Sequence, residues 1–545
     1  MRRLSPLSMI FILLGICWFT GSMAYGDVLF GDNSIVRQKC AACHKPDPQG
    51  RLEVIEGTRK STEEWKVVVD RMIRLNSAQM DDEDFYPVVK ELGKTLCLTP
   101  KESREIAYIF SDENSQYREI PKNDLDVRIY TACVRCHTYG KIASHRMVQD
   151  QWEDIRNLHL GYYPTVVPQM REMDWKKESK ALNEHLAGRF AFDTQEYKDW
   201  IKNRKDQDLT GSWTVAGYQP GMGYYHGTYS VSPNPAKGED EYLIEKTVQY
   251  QSGFTISTTG EGTLFSEYHL RYAMAPTPLT GRVEGVFDLD VDTMGFAGKW
   301  WTVVQDSNAY GNEAFYKSSG SPKIIAAFPQ SLRVLLDEEQ TFTMVGVGLF
   351  DNISTDDIKF SDPSIAITKI LKSNSSGIVC RVTVAAGAKI GLATVSVKGL
   401  QFKGLKIFDK IDAISISPRI GRARVSSGAA YPPQGVQFVA RGIYFGKDGQ
   451  QGTEDDLVLD PINAKWALEE EKTREDDDDL QYLNTSISNG LYTPVTTYGP
   501  IKTRKQNREG VGLIAVTAEY EDQGKMLKDR VRLAVTVPDF ITHLK

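Results

Sequence analysis

The chain opens with Arg2 and Arg3, then an apolar run from Met9 to Phe19, then small residues that offer cleavage after Ala24 or Gly26. That order predicts a secretory signal peptide over residues 1–26, because the run is shorter than the ~20 apolar residues a membrane span needs. No later stretch approaches that length, so the mature chain is expected to be exported and to have no membrane span. Cys17 lies inside the run and is expected to leave with it.

Residues 27–206 carry helix-like segments. Thr99 to Phe110 and Thr194 to Ile201 each begin with a threonine that an acid follows within three residues, as helix starts often do. From residue 207 the pattern changes to short alternating segments divided by Gly, Pro, Asn and Asp. Val283, Gly285, Phe287, Leu289 and Val291 alternate with Glu284, Val286, Asp288, Asp290 and Asp292; Val531, Leu533, Val535 and Val537 alternate with Arg532, Ala534 and Thr536. Period two predicts strands of antiparallel sheets. The expected fold class is multidomain: an all-α domain over 27–206, then three all-β domains. The first, 207–320, is rich in Gly, Tyr and Trp and suggests a β-barrel, and 321–409 and 410–545 suggest sandwiches. The tandem Trp300-Trp301 is read as half-buried in a strand.

Composition agrees with several packed cores: 545 residues, 41% hydrophobic and 25% charged. The net charge of −7 argues against nucleic acid or an anionic membrane as partner but permits docking of a basic electron carrier.

Six cysteines remain after Cys17, and four fall into two pentapeptides, Cys40-Ala41-Ala42-Cys43-His44 and Cys133-Val134-Arg135-Cys136-His137. Two cysteines separated by two residues and followed by His is the attachment pattern of haem c. The spacing presents both thiols to the vinyl edge of the porphyrin, and the next residue turns its imidazole to the iron. A zinc site does not require His directly after each second Cys, and a redox dithiol needs only one pair. Two covalently bound haems are therefore expected, with His44 and His137 as proximal ligands.

The flanking sequence repeats. Thr62-Glu63-Glu64-Trp65 leads to Arg71-Met72, and Gln149-Asp150-Gln151-Trp152 leads to Leu158-His159, each candidate ligand seven residues past its tryptophan. Seven residues make two helical turns, so tryptophan and ligand share a face. The expected pairs are His44/Met72 and His137/His159, the thioether raising the potential of its iron. Met80 and Met170, in the near-repeat Gln79-Met80 and Gln169-Met170, and His145 are rivals, and ligands crossing between halves remain open.

The β region is chemically poor, with no histidine between His269 and His543 and only Cys380 after Cys136. The loop from Gly446 to Asp456 lacks the ligand spacing of an EF-hand and is read as solvated, as is the acidic run Glu475 to Asp479.

The order of parts, with Gly211-Ser212-Trp213-Thr214-Val215 and the stretch Gly217-Tyr218-Gln219-Pro220-Gly221-Met222-Gly223-Tyr224-Tyr225-His226-Gly227, resembles the α subunit of quinohaemoprotein amine dehydrogenase over essentially the whole mature chain. The resemblance implies a periplasmic complex with a β-propeller subunit and a small γ subunit bearing cysteine tryptophylquinone. It also implies one bis-His and one His/Met haem, and immunoglobulin-like folds for the last two domains. Primary amines are oxidatively deaminated to aldehyde and ammonia in such a complex, and this chain would carry electrons from the quinone to a soluble copper protein or cytochrome c. It would hold no catalytic residue for the amine chemistry, since its spare thiols, Cys97 and Cys380, sit in no setting suited to a quinone. The alternatives are a dihaem peroxidase, which needs an open distal position, and a stand-alone periplasmic electron carrier.

Overall fold

The computed structural model describes residues 28–109, 121–134, 137–170, 173–290, 293–302, 309–335, 338–425, 433–473, 475–483, 486–494, 501–504 and 510–536. The expected signal peptide, Phe110, Cys136, Val291 and Val537 lie outside them. Among the described residues no helix is long and apolar enough to cross a membrane.

The helical part is built from two units of similar plan. The first holds α1 (Ile35–Cys40), α2 (Thr62–Asn76), α3 (Asp82–Thr95) and α4 (Pro100–Glu105). The second holds α5 (Asp124–Cys133), α6 (Tyr139–Ala143), α7 (Gln149–Tyr162), α8 (Val166–Gln169) and α9 (Trp175–Arg189), and α10 (Gln195–Asn203) closes it. The threonine starts hold: Thr99 and Glu102 form a reciprocal capping box on α4, and the Thr194 hydroxyl accepts the Tyr197 amide at the start of α10. Both closing helices differ from the expected ranges at their ends, since α4 stops at Glu105 and α10 runs to Asn203.

A two-stranded ladder joins the units. β1 (Thr58–Lys60) runs antiparallel to β2 (His145–Met147), with Arg59 opposite Arg146. Arg59 stands six residues before Trp65, and Arg146 six before Trp152, so the ladder relates the two halves by an approximate two-fold axis through the arginine pair. Both arginines are buried and both bind one carboxylate, Glu102: Arg59 Nη1 at 2.8 Å and Arg146 Nε at 2.9 Å. Burial alone would push Glu102 upward, but the two guanidinium groups hold it below the usual carboxylate range.

Next comes a closed antiparallel barrel of eight strands: β3 (Gly211–Gln219), β4 (Gly223–Pro233), β5 (Glu241–Tyr250), β6 (Thr255–Phe265), β7 (His269–Met274), β8 (Val283–Asp290), β9 (Gly295–Thr302) and β10 (Tyr310–Lys317). Closure brings backbones close enough that a Cβ on Gly227 would lie 2.0 Å from the Thr247 carbonyl oxygen. Aromatic side chains fill the interior around Glu313, which accepts from the Tyr225 hydroxyl at 2.7 Å and Tyr272 at 3.2 Å and also binds Tyr229 and Lys246. A buried carboxylate survives there because it is fully partnered.

The Trp300-Trp301 pair is more buried than expected. Both rings are covered, Trp300 in the barrel core and Trp301 on its outer face within the core of the second helical unit. Phe265 enters the core of the first unit in the same way, so one side of the barrel seats both halves.

Residues Lys323–Phe408 form two four-stranded sheets sharing one core. The C-terminal part, Ala413–Thr536, packs further sheets on a second core. In each, an early strand pairs parallel with the last one: Ser331–Arg333 with Leu400–Phe408, and Ile420–Arg424 with Lys525–Thr536. The residues around Tyr224 bind the three β parts together. Its ring stacks on Phe328 at 5.1 Å and its hydroxyl donates to Asp460 at 2.5 Å, while Asp460 also accepts the Ser331 amide. The acidic run departs from expectation at one end: Asp479 is buried and binds the fully buried Arg504, because only paired ions survive inside a core. The 446–456 loop holds its own acids, Asp455 accepting the Lys447 amide and Asp456 the Gly452 amide, both at 2.7 Å.

Candidate haem-binding sites

The first cysteine of each pentapeptide is the last residue of a short helix, which is why it faces the core. α1 ends at Cys40 and α5 at Cys133, and both sulfurs pack beside apolar clusters of their own unit. Burial pushes the Cys40 thiol up to about 11 and the Cys133 thiol up to about 12. Surroundings that keep sulfur neutral suit a thioether better than the thiolate a zinc site would need.

The imidazoles share one arrangement, each with a backbone carbonyl beside its Nδ1. His44 Nδ1 lies 3.2 Å from the Glu53 carbonyl, His137 Nδ1 3.1 Å from the Thr138 carbonyl, and His159 Nδ1 2.7 Å from the Ile155 carbonyl. A carbonyl only accepts, so each Nδ1 carries the proton and each Nε2 keeps its lone pair for a metal. Burial lowers the pKa of His137 and favours the neutral, ligating form.

In the second unit the sequence-expected pair comes together. The His137 and His159 rings stand 6.4 Å apart between centroids. Two imidazoles bound to one iron at about 2 Å per bond, each ring centre about 1 Å further out, need roughly 6 Å. Trp175 and Tyr163 flank the His159 ring, each at 6.1 Å. The buried Trp152 Nε1 has no protein partner, whereas Trp65 Nε1 donates to the Leu96 carbonyl at 2.9 Å; an added porphyrin with its carboxylates fits that spare donor. These residues fit a haem.

The rivals lie in the same two units. His145 donates Nδ1 to the Lys141 carbonyl at 2.8 Å, its Nε2 lies 3.9 Å from Glu64, and burial lowers its pKa far down. Met170 is enclosed in the second unit's core, and Met80 packs into the first unit's core with Cys40. Met72 is half-buried on α2, one turn before that helix ends in the left-handed Ser77. Sequence reading missed the buried group at the barrel junction. His269 lies 2.6 Å from Asp288 and 2.7 Å from Glu63, which also binds Arg271 at 2.8 Å. An isolated His in an alternating strand gives no sign of such partners.

Four family models match the chain, each described as part of quinohemoprotein amine dehydrogenase: the alpha subunit haem-binding domain at residues 31–197, domain II at 206–315, domain III at 321–409 and domain IV at 414–543. No curated protein matches. Among solved structures, a de novo designed fluorescence-activating β-barrel is 22% identical, covering 20% of this chain and 93% of its own, with a TM-score of 0.17. A SusE-like surface polysaccharide-binding protein of Bacteroides thetaiotaomicron is 10% identical over 56% of this chain and 54% of its own, with a TM-score of 0.12. An ICAM-5 ectodomain fragment is 10% identical over 61% and 97%, with a TM-score of 0.12. Likenesses so slight carry no argument. The four family matches do: the chain belongs to the quinohemoprotein amine dehydrogenase alpha-subunit family, with the haem-binding domain first and three β domains after it.

Proposed function

We propose that the chain is the dihaem c electron-transfer subunit of a periplasmic amine dehydrogenase. Cys40 and Cys43 attach one haem and Cys133 and Cys136 the other. His44 with Met72, and His137 with His159, are their axial pairs. The observation that carries this reading is the spacing of His137 and His159, 6.4 Å between ring centres on two different elements. The internal two-fold carries it to the first unit, since Met72 stands as far from Arg59 and Trp65 as His159 does from Arg146 and Trp152.

Each haem, when bound, supplies an iron that takes up and gives away one electron. The protein's share is to hold the ligands still and dry. The backbone carbonyls of Glu53, Thr138 and Ile155 fix the imidazole tautomers. The paired cores exclude water, and the Met72 thioether at one haem against two imidazoles at the other would raise the potential of the sulfur-bound site. Residues so placed would let single electrons pass from a quinone in a small partner subunit, where primary amines would be deaminated, to a soluble acceptor. The β domains serve as supports for a β-propeller partner, and the parallel pairing of an early with the last strand in each C-terminal domain supports an immunoglobulin-like reading.

The purified holo-chain should give a pyridine haemochrome and a mass corresponding to two haems and show no amine turnover. Met72→Ala should change the spectrum of one haem and leave the other intact; if Met80→Ala does so instead, the repeat alignment fails. Peroxide turnover with a high-spin ferric signal would replace this reading with the peroxidase.

A further inference from the structure

Helix α2 carries Met72, and near its start it also carries Glu64, whose carboxylate crosses the joint between the two helical units. Lys141 Nζ donates to both of its oxygens, to Oε1 at 2.6 Å, and His145 Nε2 lies 3.9 Å away. Lys141 stands in the first turn of α6. The cap of that helix, Thr138, accepts the Lys141 amide on its hydroxyl and the His137 Nδ1 proton on its carbonyl. A carboxylate of the first unit is thereby tied to the residue that fixes the proximal imidazole of the second. Protein alone buries Glu64.

The internal two-fold shows that packing does not require a charge here. The offset that relates Arg59 to Arg146 and Trp65 to Trp152 also relates Glu64 to Gln151, Val54 to Lys141 and Thr58 to His145. Beside the first site these positions form a neutral network. Gln151 Nε2 donates to the Val54 carbonyl at 2.6 Å, and the Thr58 hydroxyl donates to Gln151 Oε1. Val54 follows Glu53, whose carbonyl holds His44. One place is therefore filled by an amide at the first site and by an ion pair at the second. Burial pushes the neighbouring Lys60 down to about 7, with Glu64 opposing and Lys141 and Arg71 adding to the fall, and burial also keeps His145 neutral. Above pH 7 the group's charge thus rests on Glu64, Lys141 and Arg71.

Given the axial pairs proposed above, on which this rests, we propose that the Glu64–Lys141 pair sets the potential of the second haem. Glu64 offsets the Lys141 ammonium, holds that potential down and keeps the step from the bis-imidazole site to the sulfur-bound site downhill. It acts through Lys141, as a positioning residue, and not at the iron. A nearby cation favours the reduced iron, which carries one positive charge fewer, and a neighbouring anion cancels that preference. At an effective dielectric of ~20, a unit charge ~10 Å away changes a one-electron equilibrium about tenfold.

The test is a spectroelectrochemical titration of the complete holoenzyme at about pH 8, in which the step that Met72→Ala moves identifies the first haem. Glu64→Gln copies the counterpart Gln151 and should raise the potential of the second haem by about 59 mV, a tenfold change in its oxidised-to-reduced ratio. Lys141→Gln leaves Glu64 uncompensated and should lower it by a similar amount, whereas Lys141→Arg should keep it in place. The double variant Glu64→Gln/Lys141→Gln should return close to wild type, and the first haem should move less in every case. A pair that only joined the units would lose stability in both single variants without moving the potential in opposite directions. Shifts of one sign in both, equal shifts at both haems, or none overturn the proposal. If Met72→Ala moves neither step, the axial pairs fail instead.

Discussion

Glu102 is the residue on which the two helical units depend, because one carboxylate satisfies two buried guanidinium groups drawn from the two halves. Its replacement by alanine strands Arg59 and Arg146 in the core. Chemical denaturation should report a loss of about 3–5 kcal/mol, the usual cost of removing one partner from a buried ion pair. At the proposed iron ligands the expected effect is electronic. His159→Met should raise the potential of the second haem in a redox titration, within the about 0.8 V that axial ligands span, and leave the first unchanged. The approach of the His137 and His159 rings was legible in the sequence, because the seven residues from Trp152 to His159 make two turns of one helix and fix where the second imidazole stands. Glu102 was not legible. Its partners lie 43 residues before it and 44 after it, and nothing local distinguishes it from the helix-cap acid it also is.

Among the elements, alternation found the strands of the barrel because a closed sheet has one inside and one outside. It missed β1 and β2, three residues each, whose buried Arg59, Lys60 and Arg146 fall inside the stretch expected to be all-α. The stretch Gly217 to Gly227 acquires a physical meaning here. Tyr225 faces the barrel interior, its neighbours Tyr224 and His226 face Phe328 of the next domain, and Gly227 lets β4 and β5 approach. Gly227→Ala should destabilise the barrel by about 1–3 kcal/mol, as overpacking does, seen as a lower urea midpoint with little change at the haem Soret band.

For the whole molecule, the joint between helical part and barrel should respond to pH. Burial by itself would lower His269, but Glu63 and Asp288 overcome it and raise the imidazole to about 9 from the ordinary 6.5. A raised histidine contributes stability that is complete below its unfolded value and is lost as pH climbs through the folded one. Glu63 is the counterpart. Burial would raise it, His269 and Arg271 hold it far below 4.5, and its contribution is lost on the acid side. The stability of wild type should therefore fall between about pH 6.5 and 9 by roughly 3 kcal/mol, and His269→Gln should flatten that slope in urea melts at stepped pH.

Trp301 leaves the barrel to stand in the core of the second helical unit, beside Trp152 and Trp175. With a haem held by His137 and His159, these three indoles would surrender their excitation to it, while Trp466, packed against the core of the C-terminal domain, would keep its own emission. Separation of the barrel from the helices would add the emission of Trp301 to that background, before the helices themselves open. The chain thus carries an intrinsic optical gauge of whether its first two domains are docked, readable without any added dye.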